Sequence, residues 1–180
     1  MLKYIITDFD GTLVHTLEAN ICAYEDAFER AGLTFDRLLY TECYGLRFDA
    51  LMDKFNVPEE LRPKIKRYKK DAYLNHLDKT IVNWNLLEMI GKFDGKIAIA
   101  STASMENLFS VLYHHKLDPE IFDAIVTGEM VEKGKPEPDV YIKAYQMLGA
   151  ESTDEILVFE DSEIGVTAAI RAGINNVFKL

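Results

Sequence analysis

The segment Tyr4-Ile5-Ile6-Thr7-Asp8-Phe9-Asp10-Gly11-Thr12-Leu13-Val14 limits the fold more than any other part of the chain. Its apolar opening is far too short to cross a membrane. It ends abruptly on two carboxylates and a glycine, the pattern of a buried strand that delivers charge to the rim of a sheet. Side chains alternate along an extended strand, so Asp8 and Asp10 leave the backbone on the same side and face one small site. Two carboxylates so close repel each other. A divalent cation, or a proton shared between them or held on one, relieves that repulsion. Gly11 lets the chain turn sharply, and Thr12 adds a hydroxyl and a backbone N–H nearby.

The rest of the pattern says what surrounds this strand. Apolar residues at Leu17, Ile21, Tyr24, Ala27, Phe28 and Ala31 follow a helical repeat that Gly32 stops. Shorter helices are expected over 36–44 and 48–55. A longer one opens after Val57, with Pro58 in its first turn followed by Glu59 and Glu60. Further on, the spacing predicts helices over 82–93, 104–115, 138–148 and 163–172, alternating with strands over 96–101, 124–127, 156–159 and 176–178. Strands alternating with helices of crossover length make a parallel sheet covered on both faces. The run of helices directly after the first strand interrupts this alternation and is therefore an insertion. The expected architecture is α/β: a Rossmann-like core of residues 1–15 and 79–180, with a small all-helical domain of residues 16–78 inserted after strand 1.

Open parallel sheets bind ligands at the carboxyl ends of their strands. The first strand delivers Asp8 and Asp10 there, and the second delivers Ser101 and Thr102, whose hydroxyl and N–H groups suit phosphate oxygens. After the third comes Gly134-Lys135-Pro136-Glu137-Pro138-Asp139, a proline-stiffened loop presenting one cation. The fourth delivers Glu160-Asp161-Ser162. Taken singly these are common features: helix caps, a solvated lysine, an acidic first turn. Their order, each at a strand end, points to one site.

Asp8-Phe9-Asp10-Gly11-Thr12 resembles the first motif of the haloacid dehalogenase-like phosphohydrolase superfamily, and the later pieces resemble its Ser/Thr, Lys and acidic-pair motifs in order. The resemblance implies that Asp8 is a nucleophile forming an aspartyl-phosphate and Asp10 the general acid/base. It further implies that Ser101, Thr102 and Lys135 hold phosphate oxygens. Mg²⁺ would be bound by Asp8, the Asp10 carbonyl and Asp161, with Glu160 as a direct or water-mediated ligand. The helical insertion resembles the family's cap. The implied activity is that of a Mg²⁺-dependent phosphatase of a small phosphorylated metabolite, either a sugar phosphate or a phosphoglycolate-like acid. A sugar-phosphate mutase and a catalytically idle binding module are the alternatives. Asp10 disfavours a dehalogenase, because a departing halide needs no proton. A signalling receiver domain would carry its reactive aspartate where this chain has Thr127-Gly128.

Two positions depart from the commonest family pattern. His15-Thr16 stands where an Asp before Ser or Thr is frequent, which makes His15 a hinge residue and a candidate for substrate contact. Met105 stands near where mutases tend to carry a lysine for a second phosphate, which weakens the mutase reading. Gly45-Leu46-Arg47 resembles a specificity loop of related caps, and Arg47 suits an anionic substrate tail.

The formal charge of −10, from 30 acidic and 20 basic residues, argues against a nucleic-acid partner. The one basic run, Arg62, Lys64, Lys66, Arg67, Lys69 and Lys70, reads as a solvated helix face. Met1-Leu2-Lys3 runs straight into the first strand, leaving no room for a signal-peptide core before Asp8, so a cytoplasmic protein without membrane contact is expected. Cys22 and Cys43 form no Cys-x-x-Cys pair and suggest neither a disulfide framework nor a thiolate metal site. His76, His114 and His115 show no metal-ligand spacing.

Overall fold

The computed structural model describes all residues, Met1–Leu180. In chain order the elements are β1 (Tyr4–Thr7), β2 (Val14–His15), α1 (Leu17–Arg30), α2 (Arg37–Glu42), α3 (Phe48–Lys54) and α4 (Arg62–Tyr73). There follow β3 (Ile81–Val82), α5 (Trp84–Gly91), β4 (Lys96–Ala100), α6 (Met105–His114) and β5 (Ala124–Val126). The chain ends with α7 (Asp139–Leu148), β6 (Ile156–Glu160), α8 (Glu163–Arg171) and β7 (Val177–Lys179). Two compact units result: Met1–His15 with Val82–Leu180, and Thr16–Ile81.

The first unit is built on a five-stranded sheet of order β5-β4-β1-β6-β7, parallel throughout. β1 is central, with Ile5 opposite both Ile97 and Leu157, so its apolar residues are covered by neighbours on either side. Ile6 is fully buried with Ala98, Val158, Val140 and Tyr141 in one core cluster, and each large apolar side chain so buried contributes roughly 1.5–3 kcal/mol. The Asp8 N–H donates to the Phe159 carbonyl at 2.9 Å, which carries the β1–β6 ladder past the last strand residue and fixes the backbone under Asp8. β2 and β3 pair in a separate two-stranded sheet.

In the second unit α1 lies against α4 over a core that includes Ile21, Tyr24, Phe28, Met52 and Ile65. Phe35 stacks on Phe55 at 5.2 Å between centroids and meets Phe28 edge-on, so three rings close this small core. Arg37 pairs with both Glu18 and Glu25 across α2 and α1, and His76 Nε2 lies 2.7 Å from Asp26. On the basic run, Lys69 sits over the Tyr73 ring and Arg67 over Tyr68, while Arg62 pairs with Asp53.

Element boundaries differ from the periodicity by one to four residues, at the following places among others. The helix expected over 82–93 is α5, Trp84–Gly91: Val82 belongs to β3, and Asn83 begins the helix by accepting the Leu86 N–H on its side chain at 3.2 Å. The helix expected to open at Pro58 begins at Arg62 after a single 3-10 turn, Glu59–Leu61. Pro63 then occupies the first turn, where its missing N–H has no intrahelical acceptor to lose. The last strand is Val177–Lys179; Asn176 just before it accepts the Val158 N–H on its carbonyl at 2.9 Å, while its side chain donates to the carbonyls of Asp154 and Ile156.

Candidate active site

Every strand that neighbours β1 contributes a polar group just past its carboxyl end. Asp8 is buried, 6% exposed, and its Oδ1 receives the Lys135 ammonium at 2.6 Å. The same ammonium donates to Glu160 Oε1. Asp10 accepts from the Ser101 hydroxyl at 3.2 Å, and Ser101 Oγ accepts the Ala103 N–H at 3.0 Å, which fixes the hydroxyl's aim. Asp161 accepts from Thr12 Oγ1 at 3.3 Å. The structure therefore brings Asp8, Asp10, Ser101, Lys135, Glu160 and Asp161 together. Thr102 is half-buried in the same loop, and its carbonyl is approached so closely by Gly128 that a Cβ there would collide with it.

Local geometry explains why these residues can meet. Gly11 has φ +94°, a conformation that L side chains rarely adopt, and a Cβ on it would strike the Asp161 carboxylate. Gly165, in the first turn of α8, does the same for Glu160: only hydrogen fits where that carboxylate lies. Ser162 caps α8 by accepting the Gly165 N–H at 3.0 Å, and its own N–H and hydroxyl donate to Glu160 Oε2 at 3.1 and 3.0 Å. With Tyr141 Oη donating to Oε1 at 2.7 Å, both Glu160 oxygens are engaged by protein donors.

A profile of haloacid dehalogenase-like hydrolases matches residues 5–179. The chain belongs to this hydrolase family. Its relatives include the phosphorylated carbohydrates phosphatase of Thermotoga maritima, 27% identical over 98% of this chain and 84% of that protein. Another is fructose-1-phosphate phosphatase YqaB of Escherichia coli, 26% identical over 96% of this chain and 94% of that one. Among solved structures, CbbY from Rhodobacter sphaeroides in complex with phosphate superposes with a TM-score of 0.86 at 26% identity, covering 100% of this chain and 87% of that one.

The electrostatics of the hydrolase site are those of excess negative charge. Burial pushes the Asp8 carboxyl well above the usual carboxylate range, with Glu160 and Asp10 adding to the rise and Lys135 opposing it. Burial works against the Lys135 ammonium, but the Asp8 and Glu160 carboxylates overcome it and keep the lysine charged. Glu160 is likewise desolvated, yet Lys135, Tyr141 and the Ser162 N–H hold its pKa below the ordinary value. Asp161 is raised by burial and by the charge of Glu160. One buried ammonium thus serves several carboxylates. Asp8, Glu160 and Asp161 each offer an oxygen, the three lying within 4.8 Å of one another, and this all-oxygen donor set fits a hard divalent cation.

The remaining sequence candidates lie elsewhere in the chain. His15 is exposed at the end of β2, and Arg47 precedes α3 in the helical unit. Sequence reasoning missed Tyr141 and Gly165, and it placed Ser162 at the strand end without a role. Tyr141 reads as one more apolar residue on the inner face of α7, and only its hydroxyl, at a fully buried position, marks it as different. No helix is long and apolar enough to cross a membrane.

Proposed function

We propose that this hydrolase is a Mg²⁺-dependent phosphatase acting on a small phosphorylated metabolite, a sugar phosphate or a phosphoglycolate-like acid, through an aspartyl-phosphate. The observation that carries the reading is the Asp8 carboxylate at the end of the central strand, held by Lys135 at 2.6 Å and within 4.8 Å of an Asp161 oxygen, with Asp10, two residues on, bonded to Ser101. Phosphoryl transfer needs this kind of site, which positions groups and balances charge more than it performs covalent work.

Asp8 attacks phosphorus as the bond to the leaving oxygen breaks, and Asp10 gives that oxygen its proton. Water then attacks the phosphorus of the aspartyl-phosphate, Asp10 takes the water's proton, and inorganic phosphate leaves with Asp8 restored. Lys135, Ser101 and Thr102 bind the phosphate oxygens throughout, Lys135 also countering the charge of Asp8. Asp8, the Asp10 carbonyl and Asp161 are the ligands proposed for Mg²⁺, which would supply charge neutralisation and orientation. Glu160, its oxygens engaged by Lys135, Tyr141 and Ser162, acts on the cation through the residues it positions. The unit Thr16–Ile81 is proposed as the cap, with Arg47 and the hinge residue His15 as candidates for substrate contact. Met105, an exposed thioether at the start of α6, supports transfer to water over transfer to a second sugar.

The names of the relatives support the substrate class: one acts on phosphorylated carbohydrates, another on fructose-1-phosphate, and CbbY is seen with phosphate. Phosphate release is to be measured with Mg²⁺ across sugar phosphates, phosphoglycolate, nucleotides and pyrophosphate, beside the Asp8→Asn variant and a chelator control. Turnover of one class, lost in both controls, is the expected result. Turnover that survives Asp8→Asn sinks the mechanism.

A further inference from the structure

We propose that Tyr141 is the positioning residue of this site, holding Lys135 between Asp8 and Glu160 by means of its hydroxyl and its ring together. Its effect on turnover rests on the phosphatase reading; its effect on the lysine does not.

Tyr141 is fully buried on α7. Its hydroxyl donates to Glu160 Oε1 at 2.7 Å, the same oxygen that receives Lys135. Its ring lies beneath the ammonium, with Lys135 Nζ 4.9 Å from the centroid, a cation–π contact in a dry setting. The other Glu160 oxygen is held by the Ser162 N–H and hydroxyl. A carboxylate offers about four acceptor positions, and here protein donors number four, so Glu160 has no freedom to swing.

The shared oxygen matters most. If Glu160 Oε1 served Lys135 alone, its full charge would compete with Asp8 for the ammonium. With the Tyr141 hydroxyl on the same oxygen, that pull is divided, and Lys135 stays available to Asp8 at 2.6 Å. Packing alone would be served by phenylalanine, because a buried hydroxyl without a purpose is a cost. The hydroxyl and ring thus act as one clamp, the ring below the ammonium and the hydroxyl on its second acceptor.

The test uses the whole protein. In the metal-free state, the side-chain ammonium ¹H–¹⁵N signal of Lys135, assigned by its loss in Lys135→Met, is compared between wild type and Tyr141→Phe. In the wild type the ring beneath Nζ is expected to move that signal upfield of the other lysines. In Tyr141→Phe it is expected to shift again and to exchange faster with water. With Mg²⁺ and p-nitrophenyl phosphate, kcat is expected to fall about tenfold while KM stays within about twofold, as for an interaction that matters at the transition state. Tyr141→Leu, which also removes the ring, is expected to lose about tenfold more. A wild-type Lys135 signal without the ring shift overturns the proposal. So does a Tyr141→Phe protein with a lower melting temperature but an unchanged lysine signal and kcat. If the wild type turns over no phosphate ester, the phosphatase reading falls, and the lysine signal alone decides the clamp.

Discussion

Lys135→Met replaces the one buried cation of the site by an apolar chain of similar length. The wild-type ammonium lies between Asp8 and Glu160, whose side chains are 8% and 1% exposed, and its own is 6% exposed. Removing one partner of such a pair leaves uncompensated charge in a dry place, which costs about 3–5 kcal/mol, against about 1 kcal/mol or less for a surface pair such as Lys92–Glu88. In a chain of this size each kcal/mol moves the melting temperature by about 2–4 °C, so a fall of roughly 6–20 °C is expected. The assay is thermal and urea unfolding followed by circular dichroism in chelator. Lys92→Met serves as the surface control and Lys135→Met with Glu160→Gln as the double variant, in which one of the stranded charges is gone and part of the loss is recovered. Mg²⁺ added to Lys135→Met is expected to restore more stability than it adds to wild type, because the vacated charge is then met by the cation. A Lys135→Met protein as stable as Lys92→Met would refute the reasoning, since it would mean that the ammonium does not hold those carboxylates.

Three further outcomes depend on single positions. Thr127 Oγ1 is buried without a hydrogen-bond partner, so Thr127→Val, which keeps the shape, is expected to raise stability by about 1 kcal/mol in urea unfolding; a loss of that size would reveal a partner for the hydroxyl. Gly11→Ala is expected to give a folded protein with weakened Mg²⁺ binding by calorimetry, because a Cβ at φ +94° displaces the Asp161 carboxylate; unchanged binding would remove Asp161 from the proposed ligands. Burial, and then His114, lower the pKa of His115, so its contribution is present above the unfolded value and is lost as pH falls through the folded one. His115→Gln is therefore expected to flatten the acid side of the stability profile below about pH 6.5, by roughly 0.5 kcal/mol at most for so shallowly buried a group, and an unaltered profile counts against it.

The sequence made the core and its site legible where chemistry is tied to periodicity. An apolar strand that ends in Asp8 and Asp10 has few soluble homes other than the rim of a parallel sheet, and β1 lies at the centre of that sheet. Ser101, Lys135, Glu160 and Asp161 were legible for the same reason: each comes after an element whose period could be read. Tyr141 was hidden because a helix period reports only that a position faces inward, and a buried hydroxyl looks like core until its acceptor is known. β2 and β3 were hidden because two-residue strands carry no period at all. Gly165 was hidden because a helix period does not say what fills the space of a missing side chain, here the Glu160 carboxylate.

These hidden residues share a purpose that the visible ones do not explain. Asp8 and Glu160 both need Lys135, and electrostatics alone would let the ammonium settle on whichever carboxylate is more strongly charged. Both carboxylates accept from the same ammonium, Asp8 through Oδ1 and Glu160 through Oε1, so Glu160 competes with Asp8 for it. What offsets this is the company Glu160 keeps: Tyr141 on one oxygen, Ser162 on the other, and Gly165 allowing the carboxylate to lie against α8. Each donor takes up part of its charge and leaves less for Lys135. A residue in the acidic pair then serves the reaction by being occupied. On this view Glu160→Gln keeps the hydrogen bonds from Tyr141 and Ser162 only in part, but it releases Lys135 wholly to Asp8. Phosphate binding should therefore weaken less in Glu160→Gln than in Asp161→Asn, as read from KM at saturating Mg²⁺, and the reverse order would return Glu160 to direct cation ligation.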